Sequence, residues 1–145
     1  MAHYKEVGKE IFHQSINSTK WSSEEIYRHL LMGMHWIGLT LIGDNYPSHP
    51  LALRTGGRVE NTSSFEEVSL ALNEVSDEIR KSMKNFSLEK LNEQVTTYYG
   101  DIVKFESQIV SILHHEVEHL GELKLIFKRL TGWTDDQMYK LTSTK

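Results

Sequence analysis

Apolar residues recur at helical spacing along most of the chain. Tyr4, Val7, Ile11, Ser15 and Ser18 share a face, with Phe12 and Ile16 beside it, which predicts a first helix over residues 3–18. Trp21-Ser22-Ser23-Glu24-Glu25 reads as a helix start, with Ser22 as N-cap and Glu25, three residues on, as its capping-box partner. This second helix runs to about Leu41 and stops at Gly43. Residues 43–63 hold both prolines, Pro47 and Pro50, and the pair Gly56-Gly57. A connection of about twenty residues is long for a compact domain, so it is either a crossover or a functional lid. Ser64-Phe65-Glu66-Glu67 is a second capping box, and Val68, Leu72, Val75, Ile79 and Met83 continue it as a third helix.

Residues 87–97 are ambiguous. Residues 102–130 form the longest helix, striped by Ile109, Ile112, Leu123, Ile126, Phe127 and Leu130, with Gly132 ending it. Thr134-Asp135-Asp136 caps a short final helix. There is no strand pattern and no internal repeat. The expected architecture is all-α: a four-helix bundle with one long crossover loop and a short C-terminal helix, forming a single domain over residues 1–145.

Composition narrows this picture chiefly by exclusion. The chain has 145 residues, 39% hydrophobic and 25% charged, enough for one domain with its own core. A net charge of −4 argues against a nucleic-acid footprint, which needs a clustered basic face. The longest uncharged apolar run, Leu30 to Gly43, is shorter than the roughly 20 residues a membrane span takes. The absence of cysteine excludes disulfides, thiolate ligands and a cysteine nucleophile, and points to the cytoplasm. With no leader expected, the glycosylation patterns at Asn17, Asn61 and Asn85 are read as chance.

The candidate chemistry lies in the run His114-His115-Glu116-Val117-Glu118-His119. On a helix, His115 and His119 fall on one face, one turn apart, and could close on a single metal ion given a third ligand. With His115 set at zero, His119 falls at about 40° and the apolar stripe at about 20–120°, so both histidines face inward at the edge of the core. His114 points the other way. On the second helix, His29 and His35 are about 240° apart, and His29 is the one that shares a face with Ile26, Gly33, Trp36, Ile37 and Thr40. His3, His13 and His49 read as surface residues. Spacing alone leaves two readings open: a His29, His115, His119 metal site, or hydrogen-bonded core histidines.

The stretch Trp21-Ser22-Ser23-Glu24-Glu25-Ile26-Tyr27-Arg28-His29-Leu30 resembles the opening motif of the DinB/YfiT-like metalloenzyme superfamily, in which a Trp-Ser start precedes a metal-binding His-Leu pair. Leu113-His114-His115-Glu116-Val117-Glu118-His119-Leu120-Gly121-Glu122-Leu123 resembles that family's second motif, roughly His-Glu-x-x-His-Arg-Gly-Gln-Leu. The likeness covers nearly the whole chain. It implies that His29, His115 and His119 bind one divalent ion, zinc or nickel, inside a four-helix bundle. It also implies a homodimer, and a transferase or isomerase that uses a low-molecular-weight thiol as cosubstrate. Leu120 and Glu122 replace the family's Arg and Gln, which places any anion-binding role of that Arg in doubt. Arg54 and Arg58 in the long loop are the candidate substitutes.

On this reading the ion activates the thiol, and the thiolate attacks a small-molecule electrophile held under the 43–63 loop. Glu116 falls inside the apolar stripe, where a carboxylate is costly unless paired. It is either an acceptor that orients a ligand histidine or a packing residue paired with a cation. Glu122 is a weaker candidate to line the site, and Trp21, Trp36 and Trp133 read as packing. Two rival functions stand beside this one. His115-Glu116-Val117-Glu118-His119 also spells the His-Glu-x-x-His pattern of zinc hydrolases, without the sheet such enzymes use. Alternatively, the protein is a non-catalytic helical bundle that binds metal or a small ligand.

Overall fold

The computed structural model describes residues 2–42, 49–53, 61–97 and 99–138. Helices α1 (Ala2–Ile11), α2 (Ser23–Ile42) and α3 (Phe65–Met83) come first. A 3-10 helix (Leu88–Asn92) leads into strands β1 (Gln94–Thr96) and β2 (Ile102–Lys104), and α4 (Phe105–Thr131) follows directly. A further helical turn covers residues 135–138. The fold is mostly helical, as the apolar spacing requires.

Both capping boxes form. The Ser22 hydroxyl accepts from the Glu25 N–H at 3.2 Å, and the Glu25 carboxylate accepts from the Ser22 N–H at 2.8 Å. Ser64 and Glu67 repeat the arrangement at the start of α3. Gly132 ends α4 in the left-handed region, with φ 71°, where a residue without Cβ is favoured.

Helix α2 is the centre of the packing. On one side Ile26 and Leu30 meet Leu123 and Ile126 of α4. On the other, Leu31 meets Ala71 and Val75 of α3. Burial of the leucine, isoleucine and valine side chains among these contributes about 1.5–3 kcal/mol each. At the open end of α1, Phe12 packs edge-on to Phe65 at 5.4 Å and so ties α1 to α3.

Three expectations are corrected. The first helix stops at Ile11 rather than residue 18. Asn17 ends the apolar run by folding the chain over: its Oδ1 accepts from the N–H groups of Thr19 and Lys20, both at 3.1 Å. Ile16 still packs on the core, which is why the helical spacing persists past the helix itself. The fold also contains a hairpin. β1 and β2 pair antiparallel with Val95 opposite Val103, and Gly100 takes φ +88° in the turn between them. The longest helix consequently starts at Phe105 rather than Ile102, because residues 102–104 are engaged in that ladder.

A buried ion pair anchors the described parts of the 43–63 connection, residues 49–53 and 61–63. Glu24 is 2% exposed, and its carboxylate accepts from Arg28 Nη1 at 3.1 Å, the Ser63 N–H at 2.6 Å and His13 Nδ1 at 2.8 Å. Arg28 also donates through Nε to the Leu51 carbonyl at 2.9 Å, while the Leu53 N–H bonds the Arg28 carbonyl at 2.8 Å. Residues 49–53 are thereby laid along α2. No helix among the described residues is long and apolar enough to cross a membrane.

Candidate metal centre

The lattice of caps and ion pairs around α2 brings His29 against the middle of α4. His29 Nε2 lies 2.9 Å from His115 Nε2, and His119 Nε2 lies 3.1 Å from the same atom. The ligand atoms of all three residues fall within 4.8 Å of one another. His29 is buried, while His115 and His119 are half-buried. Gly33, one turn beyond His29, lies against the third ring: a Cβ there would stand 3.9 Å from His115 Nδ1, an ordinary contact.

The outward nitrogens show which inward ones carry lone pairs. His29 Nδ1 is 3.3 Å from the Leu53 carbonyl, and His119 Nδ1 is 2.7 Å from Glu122 Oε2. Both partners only accept, so both Nδ1 atoms donate and hold the proton. The Nε2 lone pairs of His29 and His119 are then left facing His115. A neutral His115 can donate to just one of them. A divalent ion satisfies all three nitrogens at once, and three imidazoles bound tetrahedrally at about 2.0–2.1 Å would have their nitrogens roughly 3.3 Å apart. The donor set therefore fits zinc or nickel chemistry.

Electrostatics favour the ligating form. Burial is the main cause that lowers the pKa of His29, and the neighbouring imidazoles add to it against the Leu53 hydrogen bond. Burial also lowers His115, with His119 adding to it. Neutral imidazole is the form that binds metal.

The remaining candidates sort by position. Glu122 reaches His119, three residues away on α4. Glu116 does not bond a triad histidine: its Oε1 is buried with no hydrogen-bond partner, and burial raises its pKa. Arg54 and Arg58 lie outside the described residues. His35 is buried on another side of α2, its ring edge-on to Trp36. His114 is exposed beside Glu118. Two histidines expected at the surface have partners: His13 pairs with the buried Glu24, and His49 accepts from the Leu51 N–H at 3.2 Å. The His3 side chain lies outside what the structure describes.

Trp21 has a larger role at the site than its expected packing one. Its ring stands 4.9 Å from that of His29, edge-on, and stacks over His119 at 6.0 Å. Its position just before the Ser22 cap is the sequence signal for this placement. Two clefts open beside the triad. One, of about 320 Å³, is bordered by Lys20, Trp21, His119 and Glu122. The other, of about 130 Å³, is bordered by Trp36, Tyr99, Gln108, His29 and His115.

Compared with known proteins, the chain matches no family model, no curated protein and no solved structure.

Proposed function

We propose that this protein binds one divalent ion, zinc or nickel, through His29, His115 and His119, and acts as a metal-dependent, thiol-using transferase or isomerase on a small molecule. In this reading the helices form a four-helix bundle of the DinB/YfiT-like kind, with residues 43–63 as its crossover. The observation that carries the proposal is the convergence of three Nε2 atoms, two of them tautomerically fixed as acceptors by Leu53 and Glu122. Chance packing of core histidines does not require this arrangement.

Two features favour catalysis over a structural metal. Structural zinc sites are closed by four protein ligands, and catalytic ones keep a position open. Among the described residues only these three meet, and clefts adjoin them on two sides. A divalent ion here supplies Lewis-acid chemistry that favours the thiolate form of a small thiol. The chain's own residues do the rest. Leu53 and Glu122 keep the protons on the far side of the rings, Trp21 shields one flank, and the clefts give room for a thiol and its acceptor.

The test is metal content by plasma mass spectrometry on untagged protein purified without chelator. About one equivalent is expected in the wild type, retained in His35→Ala and lost in His29→Ala and His115→Ala. Metal-free wild type that takes up none on reloading would leave a helical binding module and end the metalloenzyme reading.

A further inference from the structure

The segment between α1 and α2 is folded back by the Asn17 side chain, whose Oδ1 accepts from the N–H groups of Thr19 and Lys20. Ile16 and Trp21, on either side of that fold, pack partly buried on the cluster of Ile26, Leu30, Leu123 and Ile126. Trp21 stands just before the Ser22 cap and Ile26 four residues after it, the two positions of a hydrophobic staple. A staple needs only that contact. Here a cleft of about 320 Å³ remains between the folded-back segment, the start of α2 and the C-terminal half of α4. Ile16, Trp21, Ile26, Leu125 and Ile126 give it apolar walls, and Leu125 is 51% exposed. Apolar surface in contact with water is unfavourable, and a concave one beside a candidate centre is the usual form of a small-molecule site.

The cleft reaches the histidine triad through His119, which borders it and whose ring Trp21 stacks over. Its volume falls within the ~300–1,000 Å³ of small-molecule sites. The cleft on the other side of the triad, about 130 Å³, lies below that range and is bordered by the polar side chains of Gln108 and Ser111. Charge narrows the ligand further. The charged residues bordering the larger cleft are Lys20 and Glu122, one of each sign. Lys20 is exposed, and the half-exposed Glu122 carboxylate already accepts from His119 Nδ1. An ionised ligand would be attracted by one and repelled by the other, while losing water against the apolar walls. An uncharged one bears neither cost.

We propose that this cleft seats the electrophilic substrate, and that the body of this substrate is compact, apolar and uncharged, held against Trp21 and Leu125. The placing of its reactive end beside an ion at His119 rests on the metal reading. The cleft and its preference for an uncharged body do not.

Para-nitrobenzyl alcohol is the probe, because a nitroaromatic quenches tryptophan emission on contact. Para-nitrobenzoate and para-nitrobenzylamine carry the same body with a negative and a positive charge. The full-length protein is titrated as purified and again after chelation, with metal content measured on the same samples. The alcohol should quench saturably in both. Quenching should persist in Trp36→Phe, which removes the tryptophan of the smaller cleft, and be lost in Trp21→Phe. In the chelated protein the two charged forms should bind about tenfold more weakly than the alcohol. Leu125→Glu puts a carboxylate at an exposed wall position, where the helix tolerates it, and should weaken the alcohol about tenfold. Saturable quenching in protein that takes up no metal would uphold this proposal while ending the metal reading. No saturable quenching in metal-loaded protein would overturn this proposal and leave the metal reading standing. Quenching that vanishes in Trp36→Phe, that is as strong with either charged form after chelation, or that Leu125→Glu leaves unchanged would also overturn it.

Discussion

Two acceptors, the Leu53 carbonyl and the Glu122 carboxylate, decide which nitrogen of His29 and of His119 faces its neighbours. Removing one should loosen the centre without abolishing it. Glu122→Ala is expected to lower zinc affinity roughly 10–100-fold, read by competition with a chromophoric chelator, with helix content unchanged by circular dichroism. An unchanged affinity would show that Glu122 is only a solvated neighbour. Proton linkage acts on the same rings. His29 and His115 have folded-state pKa values below the ordinary 6.5, chiefly through burial. Below that value the unfolded chain binds more protons than the folded one, so stability rises with pH across this window. Metal-free protein should therefore keep full stability above pH 6.5 and lose it progressively as pH falls below, measured by urea denaturation at several pH values. His29→Phe should flatten that dependence. The pair His115 and His119 was legible in the sequence because one helix sets both positions. The Glu122 contact has the same helical origin, but which of Glu116 and Glu122 reaches a ring depends on side-chain direction, which spacing does not give.

The site depends on elements held in register, above all α2 with the chain laid along it. Glu24 and Arg28, one turn apart, join His13 after α1, the start of α3 and residues 49–53. Breaking a buried ion pair by removing one partner typically costs about 3–5 kcal/mol. Glu24→Ala should destabilise the fold by that amount in chemical denaturation, and it should also reduce metal affinity by loosening the Arg28 side chain that holds Leu51 and the segment beside His29. A loss below about 1 kcal/mol would mean that the network contributes little. The helices with capping boxes were legible because Ser22 with Glu25 and Ser64 with Glu67 mark their first turns in the sequence itself. The end of α1 was not, since Ile16 continues the apolar spacing through a turn made by the Asn17 side chain. The hairpin was hidden for another reason: three-residue strands are too short to display alternation, and Ile102, seven residues before Ile109, falls close to helical phase with the stripe that follows.

At the scale of the whole molecule, α4 carries two apolar faces of different exposure. One face brings His115 and His119 to His29, and another leaves Val110, Leu113, Val117 and Leu120 exposed. The inner face could be read from the sequence as core, while the exposure of the outer stripe is settled only by where α2 packs. The architecture leaves the triad reachable through its two clefts, which is what a centre acting on small molecules needs. X-ray absorption at the metal edge, on protein loaded with one equivalent of zinc, probes the central claim most directly. The account predicts a nitrogen shell at about 2.0–2.1 Å with the multiple scattering of three imidazoles, a signature lost in His29→Ala. A spectrum with at most one imidazole, or one that His29→Ala leaves unchanged, would contradict it.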